Sequence, residues 1–192
     1  MPSTQDYFWA DFGRFQNIKV VLNLMAWVEK TEVSSPNRLM DFPFISIISL
    51  MSEIVSNLWL GDLDFARSNK YDVVVNCTPD LPFFNDDSVK IRVPILDKDY
   101  EREVPKFCLD ILDVVKRIDE HLQNGARVLV HCGAGQSRSP TVVACYLVYR
   151  YQMSVEAAIK ITKGRHSNAF FGGVAFLKVI EYTRDTCLQL QS

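Results

Sequence analysis

Val128-Leu129-Val130-His131-Cys132-Gly133-Ala134-Gly135-Gln136-Ser137-Arg138-Ser139-Pro140-Thr141-Val142-Val143 is the stretch on which the reading of this chain turns. The apolar run from Arg127 to Val130 has the length and composition of a short buried strand, and the run from Thr141 to Val148 that of a buried helix. Between them lies a loop of small residues. Pro140 suits the first helical position, where its missing N–H would have no partner anyway, and Ser139 suits the N-cap. A strand end joined to a helix start by such a loop places free backbone N–H groups and the positive end of the helix dipole around one point. That is an anion cradle, opened by Cys132 and closed by Arg138.

The residue types give the cradle a chemistry. A thiol becomes a good nucleophile on ionising, and loop amides, a helix N-terminus and a nearby guanidinium lower a cysteine pKa from about 8.5 into the range of roughly 3.5–7.5. Arg138 offers a planar fork that matches two phosphate oxygens. Gly133 and Gly135 let the backbone turn inward with no Cβ in the way. The same groups would bind a phosphoryl dianion and stabilise its transfer to the sulfur of Cys132.

Cys-x5-Arg-Ser after a strand, with His131 before the cysteine, resembles the signature loop of the cysteine-dependent protein tyrosine phosphatases. The form His-Cys-x-Ala-Gly-x-Ser-Arg-Ser is similar to the dual-specificity branch, especially the MAP-kinase-phosphatase type. The resemblance extends over residues 52–190. It implies an α/β fold with a central four- or five-stranded, mostly parallel sheet flanked by helices. It also implies dual-specificity protein phosphatase activity on phosphotyrosine and phosphoserine/threonine through a phosphocysteine, without metal or cofactor. By the same resemblance Gly133, Ala134, Gly135, Gln136, Ser137 and Arg138 bind the phosphoryl group, and Ser139 donates to the leaving thiolate. His131 is read as fixing the loop and lowering the thiol pKa.

Transfer also needs a proton for the leaving oxygen. Val93-Pro94-Ile95-Leu96-Asp97 resembles the family's general-acid segment, and Asp97 sits at the mouth of the expected cleft. The segment from Asp97 to Pro105 is slightly longer than is usual in the family, so Asp99 is the alternative acid. Cys77 ends the strand expected beside the signature strand. It reads either as a small apolar filler or as a redox partner for an oxidised Cys132. Cys108, Cys145 and Cys187 fall on apolar helical faces. His121 and His166 read as surface residues, and Arg165 as a solvated helix-end arginine, with a second phosphate-binding residue as the alternative. The segment Phe170-Phe171-Gly172-Gly173 lacks the proline and Pro-Asn that the family usually carries there.

The whole chain sets bounds on this reading. Its 192 residues suit one domain with an extension. With 48% hydrophobic and 23% charged residues the composition is that of a globular protein, and a net charge of −2 gives no general basis for nucleic-acid or anionic-membrane binding. Five cysteines at irregular spacing form neither a disulfide framework nor a zinc site. No stretch approaches the roughly 18 apolar residues of a membrane span, and Asp6, Asp11 and Arg14 argue against a secretory signal. A reactive thiol points to the cytoplasm, with the nucleus as the second location.

Residues 1–50 read as an N-terminal helical extension and linker, and residues 51–192 as the catalytic domain. Phe8, Phe12, Phe15, Ile18, Leu22, Met25 and Val28 form a helical stripe. The stripe either packs on its own domain or makes a homodimer. Residues 31–41 read as linker, and 42–51 as an apolar strand, extended segment or short helix. Residues 54–61 read as a strand pair closing on Gly61, 62–69 as a short helix, and 71–77 and 90–95 as strands. A helix opens at Pro105 and stops at Gly125. Further helices cover 140–152, 154–163 and 173–189. A strand–helix–strand crossover leading to Val130 predicts parallel central strands.

The loop residues between Cys132 and Arg138 are neutral, which weighs against inositol lipids. An RNA 5′-phosphatase, a phosphoinositide phosphatase and a phosphate-binding dimeric scaffold stand as the alternatives to a phosphorylated-protein substrate.

Overall fold

The structure, a computed structural model, describes residues 52–84 and 87–190. The stripe over residues 7–30, the linker and the apolar segment 42–51 lie outside the described residues. Five strands form one mixed sheet in the order β1-β2-β5-β3-β4. β1 (Ser52–Val55) and β2 (Leu58–Gly61) make an antiparallel hairpin that turns through Asn57, at φ 65°. β2, β5 (Val128–His131), β3 (Val73–Asn76) and β4 (Val89–Arg92) run parallel. β3 and β5 are buried along their whole length, which is why they read as unbroken apolar runs rather than alternating ones.

The register sorts side chains to the two faces. Trp59, Leu129 and Val74 lie side by side across the sheet. They pack with Phe65 and Ala66 of α1 (Leu63–Ser68) and with Tyr71 and Phe83. The other face carries α2 (Tyr100–Gln123), α3 (Arg138–Tyr151), α4 (Val155–Arg165) and α5 (Leu177–Gln189). α3 touches all three of the others as well as β2 and β5. Nearly every residue of α3 is buried, as expected of a helix with no polar face.

The short helices expected over 62–69 and 154–163 and the stop at Gly125 agree with the structure. Asp62 caps α1 by accepting the Phe65 amide at 2.8 Å, and Ser154 caps α4 by accepting the Ala157 amide at 3.2 Å. Gly125, at φ 78°, follows the end of α2.

Others need correction. α3 begins at Arg138, so Ser139 and Pro140 lie inside its first turn instead of at the N-cap and first position. The Ser139 hydroxyl is drawn to Cys132, and proline is tolerated anywhere among the first four amides, which lack intrahelical acceptors. α2 begins at Tyr100 and carries Pro105 within it. The carbonyl that Pro105 leaves without an amide belongs to exposed Glu101, which water can serve. α5 starts at Leu177, later than expected, because Gly172 and Gly173 both take positive φ.

Gly61, the last residue of β2, shows how tightly the hairpin meets α1. A Cβ there would stand 2.8 Å from Cδ1 of the buried Phe65 ring. Gly61→Ala is expected to cost about 1–3 kcal/mol, read as a lower thermal midpoint. An unchanged midpoint would show that the ring can yield.

Candidate active site

β5 lies between β2 and β3, and its carboxyl end releases the loop over residues 132–137. Three backbone bonds hold that loop from outside. The Cys77 amide donates to the His131 carbonyl at 2.8 Å, the Leu63 amide to Gly133 at 3.0 Å, and the Phe170 amide to Gln136 at 2.7 Å. In a planar trans peptide the next amide points opposite to the carbonyl. The Ala134 and Ser137 N–H groups therefore face the inside of the loop. Gly135 sits at φ 66°, where a Cβ would be 3.1 Å from His166 Nε2 and 3.2 Å from the Gly61 carbonyl oxygen. Both the turn and the close approach call for glycine.

Cys132 is buried at the loop's floor, and the Ser139 hydroxyl donates to its Sγ at 3.2 Å. Arg138 is turned inward and only 9% exposed. Its Nη1 donates to the Ile95 carbonyl and its Nη2 to Asp97 Oδ2, both at 3.2 Å. Among the described residues, buried Arg138 Nε and Ser137 Oγ have no protein partner. A buried donor without an acceptor is costly, and a tetrahedral oxyanion above Cys132 is the kind of group that satisfies such donors.

His131 is fully buried, and its Nδ1 lies 3.2 Å from the Cys132 carbonyl. A carbonyl only accepts, so Nδ1 carries the proton. Burial pulls the ring's pKa below the ordinary histidine value. His131 therefore acts on the loop as a neutral donor rather than as a charge. Cys77 is also fully buried. Burial first, and then the neighbouring Cys132, push its thiol well above the ordinary range, and both thiols are free.

Of the two candidate acids, Asp97 is the one at Arg138. Asp99 instead starts α2: its carbonyl accepts the Arg102 and Glu103 amides at 2.9 and 3.0 Å, and its side chain makes no capping bond. Arg165 is exposed, at the end of α4, and His121 is half-buried. Cys145 and Cys187 are buried and Cys108 half-buried.

His166 is not a surface residue. It is fully buried behind the loop, with Nδ1 3.3 Å from Ser52 Oγ. Its Nε2 has no hydrogen bond of good geometry. Burial lowers its pKa, while Asp62 and the Gly135 backbone pull the other way. Glu103 is the second residue that sequence reasoning passed over. It is buried in the first turns of α2, where it accepts the Leu96 amide at 3.1 Å and pairs with Lys106. The Lys106 bond and then the Leu96 amide hold its carboxyl below the ordinary glutamate value. The signal was available: Glu103 stands four residues before Phe107 on the buried stripe of α2.

No group of three or more histidine, cysteine or acidic side chains among the described residues is arranged to hold a metal. No helix among them is long and apolar enough to cross a membrane.

Residues 55–185 match the family model described as dual specificity phosphatase, catalytic domain. The chain is 33% identical over 125 residues to human dual specificity protein phosphatase 9, covering 60% of this chain and 32% of that protein. It is 29% identical over 127 residues to dual specificity protein phosphatase 1B of Arabidopsis thaliana, covering 62% of this chain and 74% of that one. It thus spans about a third of the human relative's length. Among solved structures, human DUSP28 superposes with a TM-score of 0.61 at 19% identity, covering 76% of this chain and 98% of that one. DUSP15 gives 0.60 at 20% identity, covering 73% and 94%. The sheet, the loop from Cys132 to Arg138 and the matched span agree: this chain belongs to the dual-specificity phosphatase family.

Proposed function

We propose that the chain hydrolyses phosphotyrosine and phosphoserine/threonine in proteins through a phosphocysteine formed on Cys132. The observation that carries this reading is the buried Arg138, turned in over the loop so that its Nη2 would stand 3.6 Å from a Cβ at Gly133, with Nε and the neighbouring Ser137 hydroxyl unmatched by any protein partner among the described residues.

In the first step the Cys132 thiolate attacks phosphorus in line, and the P–O bond to the alcohol or phenol breaks. Arg138, the loop amides over residues 133–137 and the Ser137 hydroxyl hold the non-bridging oxygens as charge gathers on them. Asp97 gives its proton to the departing oxygen. In the second step a water attacks the phosphocysteine, Asp97 takes a proton from it, and the S–P bond breaks. The sulfur leaves as a thiolate that the Ser139 hydroxyl stabilises. No metal or cofactor enters either step.

The test is a side-by-side comparison of a phosphotyrosine peptide, a phosphothreonine peptide, a phosphoinositide and an RNA 5′-triphosphate. The peptides are expected to turn over fastest. Faster hydrolysis of the lipid or the RNA would replace this reading, and binding without turnover of any of the four would favour the scaffold.

We propose Cys77 as a redox partner for an oxidised Cys132, a reading supported by the backbone bond from its amide to the His131 carbonyl, next to Cys132 in the chain. Peroxide is expected to oxidise Cys132 to a sulfenic acid that condenses with the Cys77 thiol to a disulfide with loss of water. In Cys77→Ser excess peroxide is expected to carry Cys132 on to the sulfinic acid, which thiols do not reverse. Equal recovery of both proteins on reduction would leave Cys77 as a packing residue.

A further inference from the structure

We propose that Glu103 is a positioning residue that orients the segment carrying Asp97, acting through the single peptide unit between Ile95 and Leu96. The inference rests on the general-acid reading of Asp97 given above and extends it to a residue that touches no substrate.

The two groups of that peptide are held from opposite sides. Its carbonyl accepts from Arg138 Nη1 at 3.2 Å, and its N–H donates to Glu103 Oε2 at 3.1 Å. One rigid plane therefore links the first turns of α2 to the arginine at the start of α3. Asp97 is the next residue along, and its own carboxylate reaches the same guanidinium at 3.2 Å. With its side chain 41% exposed, Asp97 has little packing to fix it. Its orientation is set by that one bond to Arg138 and by the backbone before it. The turn at Pro94 adds to this, since the Ile95 amide bonds back to the Val93 carbonyl at 2.8 Å. A carboxylate accepting at the N–H end of the peptide also strengthens the carbonyl at the other end as an acceptor for Arg138.

The position of Glu103 in the sequence supports a specific task. It continues the stripe of Phe107, Ile111, Val114 and Ile118, where an apolar side chain would pack without needing partners. A carboxylate there is costly unless it is paired and bonded. Both conditions are met, by Lys106 on the solvent side and by the Leu96 amide on the site side.

The experiment compares Glu103→Leu, which continues the stripe, with Glu103→Gln, which keeps an acceptor for the Leu96 amide. Lys106→Met removes only the counter-charge. Substrates are an aryl phosphate with an acidic phenol, which leaves without a proton, and a phosphothreonine peptide, which does not. Asp97→Asn sets the reference. If Glu103 positions the acid, Glu103→Leu lowers kcat/KM roughly 10²-fold for the phosphothreonine peptide and leaves the aryl phosphate within a few fold. Glu103→Gln and Lys106→Met stay near the parent on both, and Glu103→Leu adds little to Asp97→Asn.

A parallel loss on both substrates, or no loss on either, overturns the proposal. Should the leucine variant fail to fold, Glu103→Ala is read in the same way. If Asp97→Asn itself shows no dependence on the leaving group, the general-acid reading fails first. If it does and Glu103→Leu does not, only the role of Glu103 falls.

Discussion

Cys132→Ser is expected to abolish turnover of every phosphoester while leaving the protein folded and able to bind inorganic phosphate. The substitution replaces sulfur by oxygen in a site that is already buried and already receives a hydrogen bond from Ser139. Shape and contacts are nearly conserved. What is lost is acidity, because a serine hydroxyl does not ionise near neutral pH, whatever amides and guanidinium surround it. The oxyanion donors, Arg138 and the inward amides, do not depend on the sulfur. Titration calorimetry with phosphate and an assay with an aryl phosphate separate the two effects. Residual turnover would mean another nucleophile. Loss of phosphate binding would mean that the sulfur organises the loop rather than reacting in it.

The second large effect is expected at Asp97. Asp97→Asn keeps the size of the side chain but has no proton to give, and a general acid is worth about 10²–10⁴-fold when the leaving group is a poor one. The loss should therefore be large for a phosphothreonine peptide and small for an aryl phosphate with an acidic phenol. Asp99→Asn is the control. Its backbone, not its side chain, forms the start of α2, so its activity should stay near the parent. A reversal of the two variants would move the acid to Asp99. Because Asp97 also pairs with Arg138, phosphate affinity should be measured alongside, to show that the arginine has kept its place.

Much of the fold was legible where one local rule sufficed. β3 and β5 declare themselves as unbroken runs of Val and Leu because both faces of the central sheet are covered. The middle of α3, from Val142 to Val148, is apolar on every side because other elements enclose it. The signature stretch is compact in sequence, so Cys132, Ser139 and Arg138 come together by virtue of a single turn. The misses occur where a distant element decides. Ser139 is a good N-cap by type, yet its hydroxyl is claimed by the sulfur seven residues before it. Pro105 looks like a helix start, but α2 begins five residues earlier, where the Asp99 backbone turns left-handed at φ 53°. With the start misplaced, Glu103 fell outside the helix and its place on the buried stripe went unseen. His166 follows the last turn of α4, where periodicity has nothing more to say. Its burial is imposed by Ser52 and Gly135, which lie far back in the chain. The place of β3 beside β5 is as expected from the reading of Cys77, whereas the insertion of β5 between β2 and β3 carries no mark in the hydrophobic period.

That order has a consequence for how the molecule is assembled. β2 and β3 follow one another in the chain but are separated in the sheet by the width of one strand, and the strand between them is β5. Until residue 131 has been synthesised, the inner rims of β2 and β3 face each other across a gap, with their ladder groups unmet. Such rims are sticky, and closing so long a stretch of chain is slow. The piece that finally fills the gap brings the cysteine loop with it. Regain of activity during refolding should therefore coincide with completion of the sheet, and a half-folded chain should be prone to clump rather than be weakly active.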